Sequence, residues 1–68
     1  MNITKSRIKE CKKIVVCLNN RHYLTEDEIV EITKHSKEWV VANLGFLMDL
    51  GIVRVCKFST GFKYKLNL

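Results

Sequence analysis

The sequence predicts a single α+β domain over residues 1–68, in which three helices precede a C-terminal two-stranded β-hairpin. Apolar residues recur at helical spacing in three successive segments. Two short alternating segments then flank Ser59-Thr60-Gly61, a pattern typical of a hairpin turn. A hydrophobic content of 47% with no proline argues against disorder, and no linker or repeat divides the chain.

The first helix is predicted to run from about Thr4 to Asn19. Apolar residues at helical intervals form its inner face, namely Ile8, Cys11, Val15 and Leu18. Three further apolar side chains widen this arc, namely Ile14, Val16 and Cys17. We expect this excess either to pack beneath the rest of the domain or to contact a partner chain, and the pattern does not choose between the two.

The second helix follows a short extended connector, residues 21–24, and is predicted to end near Thr33. Thr25 and Glu28 fit a capping box, in which each side chain accepts a hydrogen bond from the backbone N–H of the other. The acidic residues of the first turn suit the positive end of the helix dipole. Ile29 and Ile32 are predicted to face the core.

The third helix is predicted to begin after a tight turn at Lys34-His35, with Ser36 as its N-cap. It ends at about Leu50, because Gly51 is the residue type expected just after a helix C-terminus. The residues that share its inner face are Val40, Leu44 and Leu47.

The hairpin is predicted from two alternating runs, residues 52–58 and 62–66. Side chains two apart on a strand point to the same face. The predicted inner face carries Val53, Val55, Tyr64 and Leu66. Lys63 and Lys65 are expected to point to the opposite face.

The net charge of +5 is unevenly distributed along the chain. Residues 1–24 carry six basic and one acidic side chain, residues 25–53 carry two and six, and residues 54–68 carry four and none. A small basic domain of this kind indicates a polyanionic partner, most commonly nucleic acid. We expect the two ends of the chain to meet such a partner more readily than the middle.

Several classes of function are excluded by what the sequence lacks. The spacing of Cys11, Cys17 and Cys56 matches no metal-binding motif, so we expect no zinc site. We expect the three thiols to be small buried groups in a reducing cytosol. No catalytic constellation or phosphate-binding loop is present, which argues against an enzyme and against any cofactor. The N-terminus has no signal-peptide pattern and no apolar run is long enough to span a bilayer, so a cytoplasmic location is expected.

The order of elements, helix, short strand, helix, helix and hairpin, resembles the winged helix-turn-helix superfamily. The segments that carry the resemblance are residues 24–29 (LTEDEI), Thr33, residues 36–40 (SKEWV), Leu44, Leu47, residues 50–53 (LGIV) and residues 62–66 (FKYKL). In these segments the chain is similar to small prokaryotic regulators of the MarR and ArsR type, and to small regulators of archaea and their viruses. The resemblance covers about residues 8–66.

The resemblance implies a transcriptional regulator that binds double-stranded DNA, with the third helix in the major groove and the hairpin, or wing, on the neighbouring backbone. The base-facing positions that it implies are Lys37, Glu38, Trp39, Val41 and Ala42, with Gly45 one turn further. The implied phosphate contacts are Lys34 and Ser36 before the helix, and Lys57, Ser59, Thr60 and Lys63 in the wing.

The third helix departs from a typical reading helix. With Val40 facing the core, the opposite side carries Glu38, Ala42, Gly45 and Asp49, whereas direct readout uses Arg, Lys, Asn or Gln. Either small side chains let the helix lie close to DNA while lysines elsewhere contact phosphates, or this helix contacts another protein. The second alternative uses its apolar surface, with an exposed Trp39 as the anchor.

A homodimer is also expected, because prokaryotic operators are commonly palindromic and are matched by two-fold symmetric proteins. The surplus apolar residues of the first helix provide the candidate contact surface. These residues are Ile14, Val16 and Cys17.

Overall fold

The computed structural model describes residues 3–19 and 23–67, and the side chains from Arg7 onward within those ranges. Its elements are α1 (Ile3–Asn19), α2 (Glu26–Thr33), α3 (Lys37–Asp49), β1 (Val53–Phe58) and β2 (Gly61–Leu66). The predicted α+β architecture is therefore confirmed. Arg21 and His22, from the predicted connector before α2, lie outside the described residues.

The short strand predicted before α2 is also present, as a bridge between Leu24 and Tyr64 of β2. The two residues exchange backbone hydrogen bonds of 3.0 and 2.7 Å. Because β2 also pairs with β1 in antiparallel register, β2 lies between Leu24 and β1. The order of elements is that of a winged helix, with the β1–β2 hairpin as its wing.

Local sequence signals fix where α2 and α3 begin. The Thr25 hydroxyl accepts a hydrogen bond from the Glu28 N–H at 3.1 Å, and the Glu28 carboxylate accepts from the Thr25 N–H at 2.8 Å. This backbone hydrogen bond lowers the pKa of Glu28. Ser36 caps α3 by accepting from the Trp39 N–H at 3.2 Å. Lys34, with φ of 62°, adopts the left-handed conformation that makes the turn between the two helices tight.

One core lies between the helices and the inner face of the hairpin. Its buried apolar residues are Cys11, Ile14, Cys17, Leu18, Leu24, Ile29, Val40, Leu44, Leu47, Val53, Tyr64 and Leu66. The register places Val55 opposite Tyr64 on the predicted inner face. Val55 is nevertheless 43% exposed, because β1 is the outer strand of the hairpin and pairs on one side only among the described residues.

The inner face of α1 is rotated from the predicted one. Ile14 and Cys17 belong to the core, whereas Ile8 is 46% exposed. Cys11 and Leu18 are buried as predicted, and Ile8 lies on a part of the helix surface that the rest of the described chain leaves exposed. Ile32, which was expected to face inward with Ile29, is 40% exposed, because it lies in the last turn of α2 and faces a groove beside α1.

A buried polar pair joins α1 to α3. Asn43 is 3% exposed. Its side-chain oxygen accepts from the Cys11 thiol at 2.9 Å, and its amide nitrogen donates to the Trp39 carbonyl at 2.8 Å. Burial raises the pKa of the Cys11 thiol, which keeps the proton that this hydrogen bond requires. A buried amide is stable in a core only when it is partnered in this way.

Tyr64 ties the hairpin to the start of α2. Its side chain is buried, and its hydroxyl donates to a Glu26 carboxylate oxygen at 3.0 Å. Burial, together with this hydrogen bond, raises the pKa of Tyr64 from 10.0 to about 12. The neutral phenol is therefore the form that the folded state stabilises.

We predict that the fold loses stability in alkali through Tyr64. A pKa raised in the folded state stabilises the fold below the ordinary value of 10.0, and this contribution disappears as the pH rises through about 12. The measurement is the free energy of unfolding in urea between about pH 9 and pH 12. Tyr64→Phe, which keeps the ring and every lysine, is expected to flatten the loss. An identical loss in the variant would contradict the prediction.

Candidate nucleic-acid interface

Lys37 joins two grooves into one continuous surface. The first groove, of about 280 Å³, lies between the start of α2 and the hairpin turn. The second, of about 430 Å³, lies along the outer side of α3. We call their union the α3–wing surface, and its residues are Thr25, Glu26, Asp27, Lys37, Glu38, Val41, Ala42, Thr60, Gly61, Phe62 and Tyr64. The surface therefore combines the start of α3 with the tip of the wing.

The α3 part of this surface is poor in hydrogen-bonding groups. Val41 is 45% exposed, and Glu38 and Ala42 are also exposed. The Lys37 side chain is 61% exposed and lies 3.7 Å from the Asp27 carboxylate. An ion pair this exposed is weak, so Lys37 is free to exchange Asp27 for another anion.

Trp39 does not belong to the α3–wing surface, although it was one of the predicted base-facing residues. Its indole N–H donates to a Glu10 carboxylate oxygen of α1 at 3.0 Å. Its ring stacks on His35, with 3.7 Å between the ring centroids. Trp39 is half-buried against α1, so only part of its ring is available to a protein partner.

The predicted wing residues divide between the two faces of the hairpin. Ser59 and Thr60 are exposed at the turn. Lys57 is paired with Phe62 on the face that becomes the core further along. Lys63 lies on the opposite face, where its ammonium is 5.2 Å from the centre of the Phe58 ring. The two wing cations can therefore contact phosphates on both sides of the wing tip.

The remaining predicted phosphate-contact residues lie immediately before α3, and further lysines lie on α1. Lys34 and Ser36 are exposed in the turn that precedes it. The Lys13 ammonium of α1 approaches His35 of the same turn at 3.4 Å. Lys9 and Lys12 lie with Lys13 in a groove of about 640 Å³ between α1 and the end of α2. This α1–α2 groove lies at the C-terminal end of α2, whereas the wing tip lies beside its N-terminal end. Because α2 has eight residues, these two places are about 12 Å apart.

Two residues of this region were missed by sequence reasoning. Phe62 is 58% exposed and lines the α3–wing surface. Arg7 of α1 reaches α3, where its guanidinium lies 5.1 Å from the centre of the Phe46 ring and donates to the Ala42 carbonyl at 3.4 Å. Phe62 lies beside the turn, two residues before the buried Tyr64 and on the same face of the strand, so strand alternation alone predicts burial and only the position next to the turn is a signal of exposure. No sequence signal marks Arg7.

Within residues 3–19 and 23–67, no group of three or more His, Cys, Asp or Glu side chains is arranged to hold a metal ion. Over the same residues, no helix is long and apolar enough to cross a membrane. Among the described residues, Cys11, Cys17 and Cys56 form no disulfide, and Cys56 is the most exposed of the three.

Comparison with known proteins yields a structural similarity and no family. No family model matches the chain, and no curated protein matches it. Among solved structures, Stf76 from the Sulfolobus islandicus plasmid-virus pSSVx superposes with a TM-score of 0.72 at 26% sequence identity. The match covers 85% of this chain and 80% of Stf76. The chain therefore shares its fold with a small protein of an archaeal plasmid-virus.

We predict that Glu10 holds Trp39 against α1. Glu10→Ala removes the acceptor of the indole N–H, so the ring becomes more accessible and stability falls by about 1 kcal/mol. Trp39 is the chain's only tryptophan, which makes acrylamide quenching of its fluorescence the direct measurement. Glu31→Ala, at an exposed position of α2, is the matched control. Equal quenching in the two variants would contradict the contact.

Proposed function

We propose that this chain is a double-stranded DNA-binding protein that regulates transcription, and that it binds through the α3–wing surface. The observation that carries the proposal is the continuity of this surface from the start of α3 to the wing tip, through Lys37. Such a surface presents a helix and a hairpin to the same side, as a duplex requires. The role is binding without a chemical reaction, and it assigns the protein to the cytoplasm.

In this proposal α3 enters the major groove, which is about 12 Å wide and admits a helix. Small side chains on the outer side of α3 permit a close approach of the helix backbone to the bases. Ala42 has a single methyl group, and a Cβ added at Gly45 would meet nothing within 4 Å. Glu38 is suited to accept a hydrogen bond from a cytosine amine.

Phosphate contacts supply most of the affinity in this proposal. The lysines on or beside the α3–wing surface are Lys34, Lys37, Lys57 and Lys63. The hydroxyls of Ser59 and Thr60 are additional donors at the wing tip. Such contacts position a protein on DNA without reading its sequence.

The salt dependence of duplex binding tests the proposal. Four lysine–phosphate contacts predict a slope of about −3 to −4 for log K against log salt concentration, measured by fluorescence anisotropy. Lys57→Glu is expected to weaken binding to all duplexes alike and to reduce the slope by about 1. Arg54→Glu makes the same change of net charge at an exposed position at the end of the hairpin away from the wing tip and is expected to have a much smaller effect. A flat salt response, or equal effects of the two variants, would overturn the proposal.

A protein-interaction module is the second candidate function. Val41 and Ala42 favour it, because they form an exposed apolar groove along α3. The packing of Trp39 against α1 leaves only part of this aromatic ring exposed, which counts against it as the anchor that such an interface commonly uses. The cations around the surface also have no role in this alternative, so DNA binding accounts for more of the observations.

A homodimer through α1 fits the proposal only with a revised contact surface. Ile14 and Cys17 are in the core, which leaves Val16, at 52% exposure, together with Ile32 of α2. Both line the α1–α2 groove beside three lysines. A two-fold arrangement that packs α1 of one copy on α2 of the other sets these lysines against exposed acids of α2, such as Glu31.

We predict that Val16→Glu weakens self-association at least about tenfold, because a carboxylate that replaces the valine in the buried contact costs more than about 1.4 kcal/mol in desolvation, even beside the lysines of the groove. The measurement is sedimentation equilibrium over a range of concentrations. Val55→Glu, at an exposed valine of the wing, is the matched control. A monomeric wild-type chain at high concentration would refute the dimer.

A further inference from the structure

The side chains on the outer side of α3 are too few and too simple to explain how the protein would distinguish one DNA sequence from another. Its exposed side chains near the wing are Val41, Ala42, Glu38 and Lys37, which offer a methyl contact, one acceptor and one flexible cation. Direct readout of several base pairs needs paired donors and acceptors. A protein with such a helix, if it binds DNA as proposed above, discriminates chiefly through the shape and deformability of the duplex.

Phe62 is placed to exploit that deformability. It is the most exposed of the large apolar side chains among the described residues, at 58%. It follows Gly61 at the end of the hairpin turn, and it lines the α3–wing surface together with Lys37 and Thr60. A phenyl ring left in water forgoes the free energy of burial, so this exposure is unfavourable unless a partner covers the ring.

Cations flank this ring. Lys57 is its cross-strand neighbour, which places the two Cβ atoms about 5 Å apart. Lys37 lines the same groove, and Lys63 follows Phe62 on the other face of the strand. Phosphates held by these ammonium groups would bring the edge of a base stack towards the ring.

The other wing aromatic is already engaged. Phe58 lies on the opposite face of the hairpin, with its ring 5.1 Å from that of Tyr23 in an edge-on arrangement. The Lys63 ammonium covers it at 5.2 Å. Phe58 thus has partners within the chain, and Phe62 is the aromatic side chain of the wing left to contact a ligand.

We propose that Phe62 is an apolar wedge that enters the minor groove beside the α3 site, partly unstacks one base step and bends the duplex. This inference rests on the proposed DNA-binding function and specifies its target. Pyrimidine–purine steps such as TA unstack most easily, whereas A-tracts are stiff. The preferred ligand is therefore a duplex with a pyrimidine–purine step where the wing meets the minor groove. Apolar wedges of this kind pay for unstacking with the contacts that the bend allows.

The experiment uses the full chain and duplexes of about 25 base pairs with a fluorescent donor and acceptor at their ends. In one series a single TA step is moved one position at a time through an A-tract, and an uninterrupted A-tract is the reference. Anisotropy gives the affinity, and energy transfer between the ends gives the bend. We expect the wild type to favour one position of the step by about tenfold and to bend that duplex.

Variants at two positions assign the effect to the ring. Phe62→Ala is expected to lose both the bend and the step preference while keeping its salt-dependent binding. Phe62→Leu, which retains an apolar wedge, is expected to keep part of both. Val55→Ala truncates another exposed apolar residue of the same hairpin face and is expected to behave as the wild type. Circular dichroism checks that each variant is folded.

The outcomes separate this inference from the proposed function. Wild-type binding without a bend or a step preference overturns the wedge and leaves the DNA-binding proposal standing. A bend that persists in Phe62→Ala also overturns the wedge and leaves the DNA-binding proposal standing. No binding of any duplex by the wild type overturns both proposals. Loss of bend and preference in Phe62→Ala alone, with Val55→Ala unchanged, supports the wedge.

Discussion

The attachment of β2 to α2 is the interaction on which the rest of the structure depends. Tyr64 pairs through its backbone with Leu24, and through its hydroxyl with Glu26. A two-stranded hairpin alone is at best marginally stable in water. With Tyr64 anchored, the hairpin turn is held against the first turn of α2, and Lys37 borders the same groove. The α3–wing surface therefore exists because one tyrosine is fixed at three points.

The position of α3 depends on contacts along its sides that face the rest of the chain. On the inner side the Asn43 amide joins the Cys11 thiol to the Trp39 carbonyl. On the side that faces α1, Trp39 is held by Glu10 and His35. These contacts use most of the apolar circumference of the helix. The side with Lys37, Glu38, Val41 and Ala42 remains open, so α3 presents a narrow strip rather than a broad apolar face.

Local signals predicted the boundaries of the elements well. The capping box at Thr25, the cap at Ser36 and Gly51 each act within one helical turn, and the structure has each of them as predicted. Which face a helix buries was predicted less well. Helix α1 has apolar residues over a wide arc, so its period permits two inner faces, and only packing against α2, α3 and β2 selects the one with Ile14 and Cys17.

The candidate site was predictable to the extent that it depends on the order of elements. Lys37, Val41, Ala42 and Thr60 were assigned from the fold and lie together on the surface. The position of Trp39 was not predictable, because α3 is apolar on both flanks and the hydrogen-bond partner Glu10 is 29 residues away. Arg7 was missed for the same reason, since its contact with Ala42 spans 35 residues.

The acids on the α3–wing surface bear on the DNA binding proposed above. Asp27 lies 3.7 Å from the Lys37 ammonium, so a phosphate has to displace it before Lys37 can bind. Glu38 repels phosphates wherever it does not meet a matching base. Both effects lower the affinity for every duplex. They are smallest on a duplex whose other contacts hold the protein at one position along the DNA. Acids beside a reading helix therefore reduce non-specific binding more than specific binding, and the ratio of the two determines whether a regulator finds its site in a genome. A surface with few base-contacting side chains reaches a useful ratio of specific to non-specific affinity by weakening binding to the wrong duplexes as well as by strengthening binding to the right one.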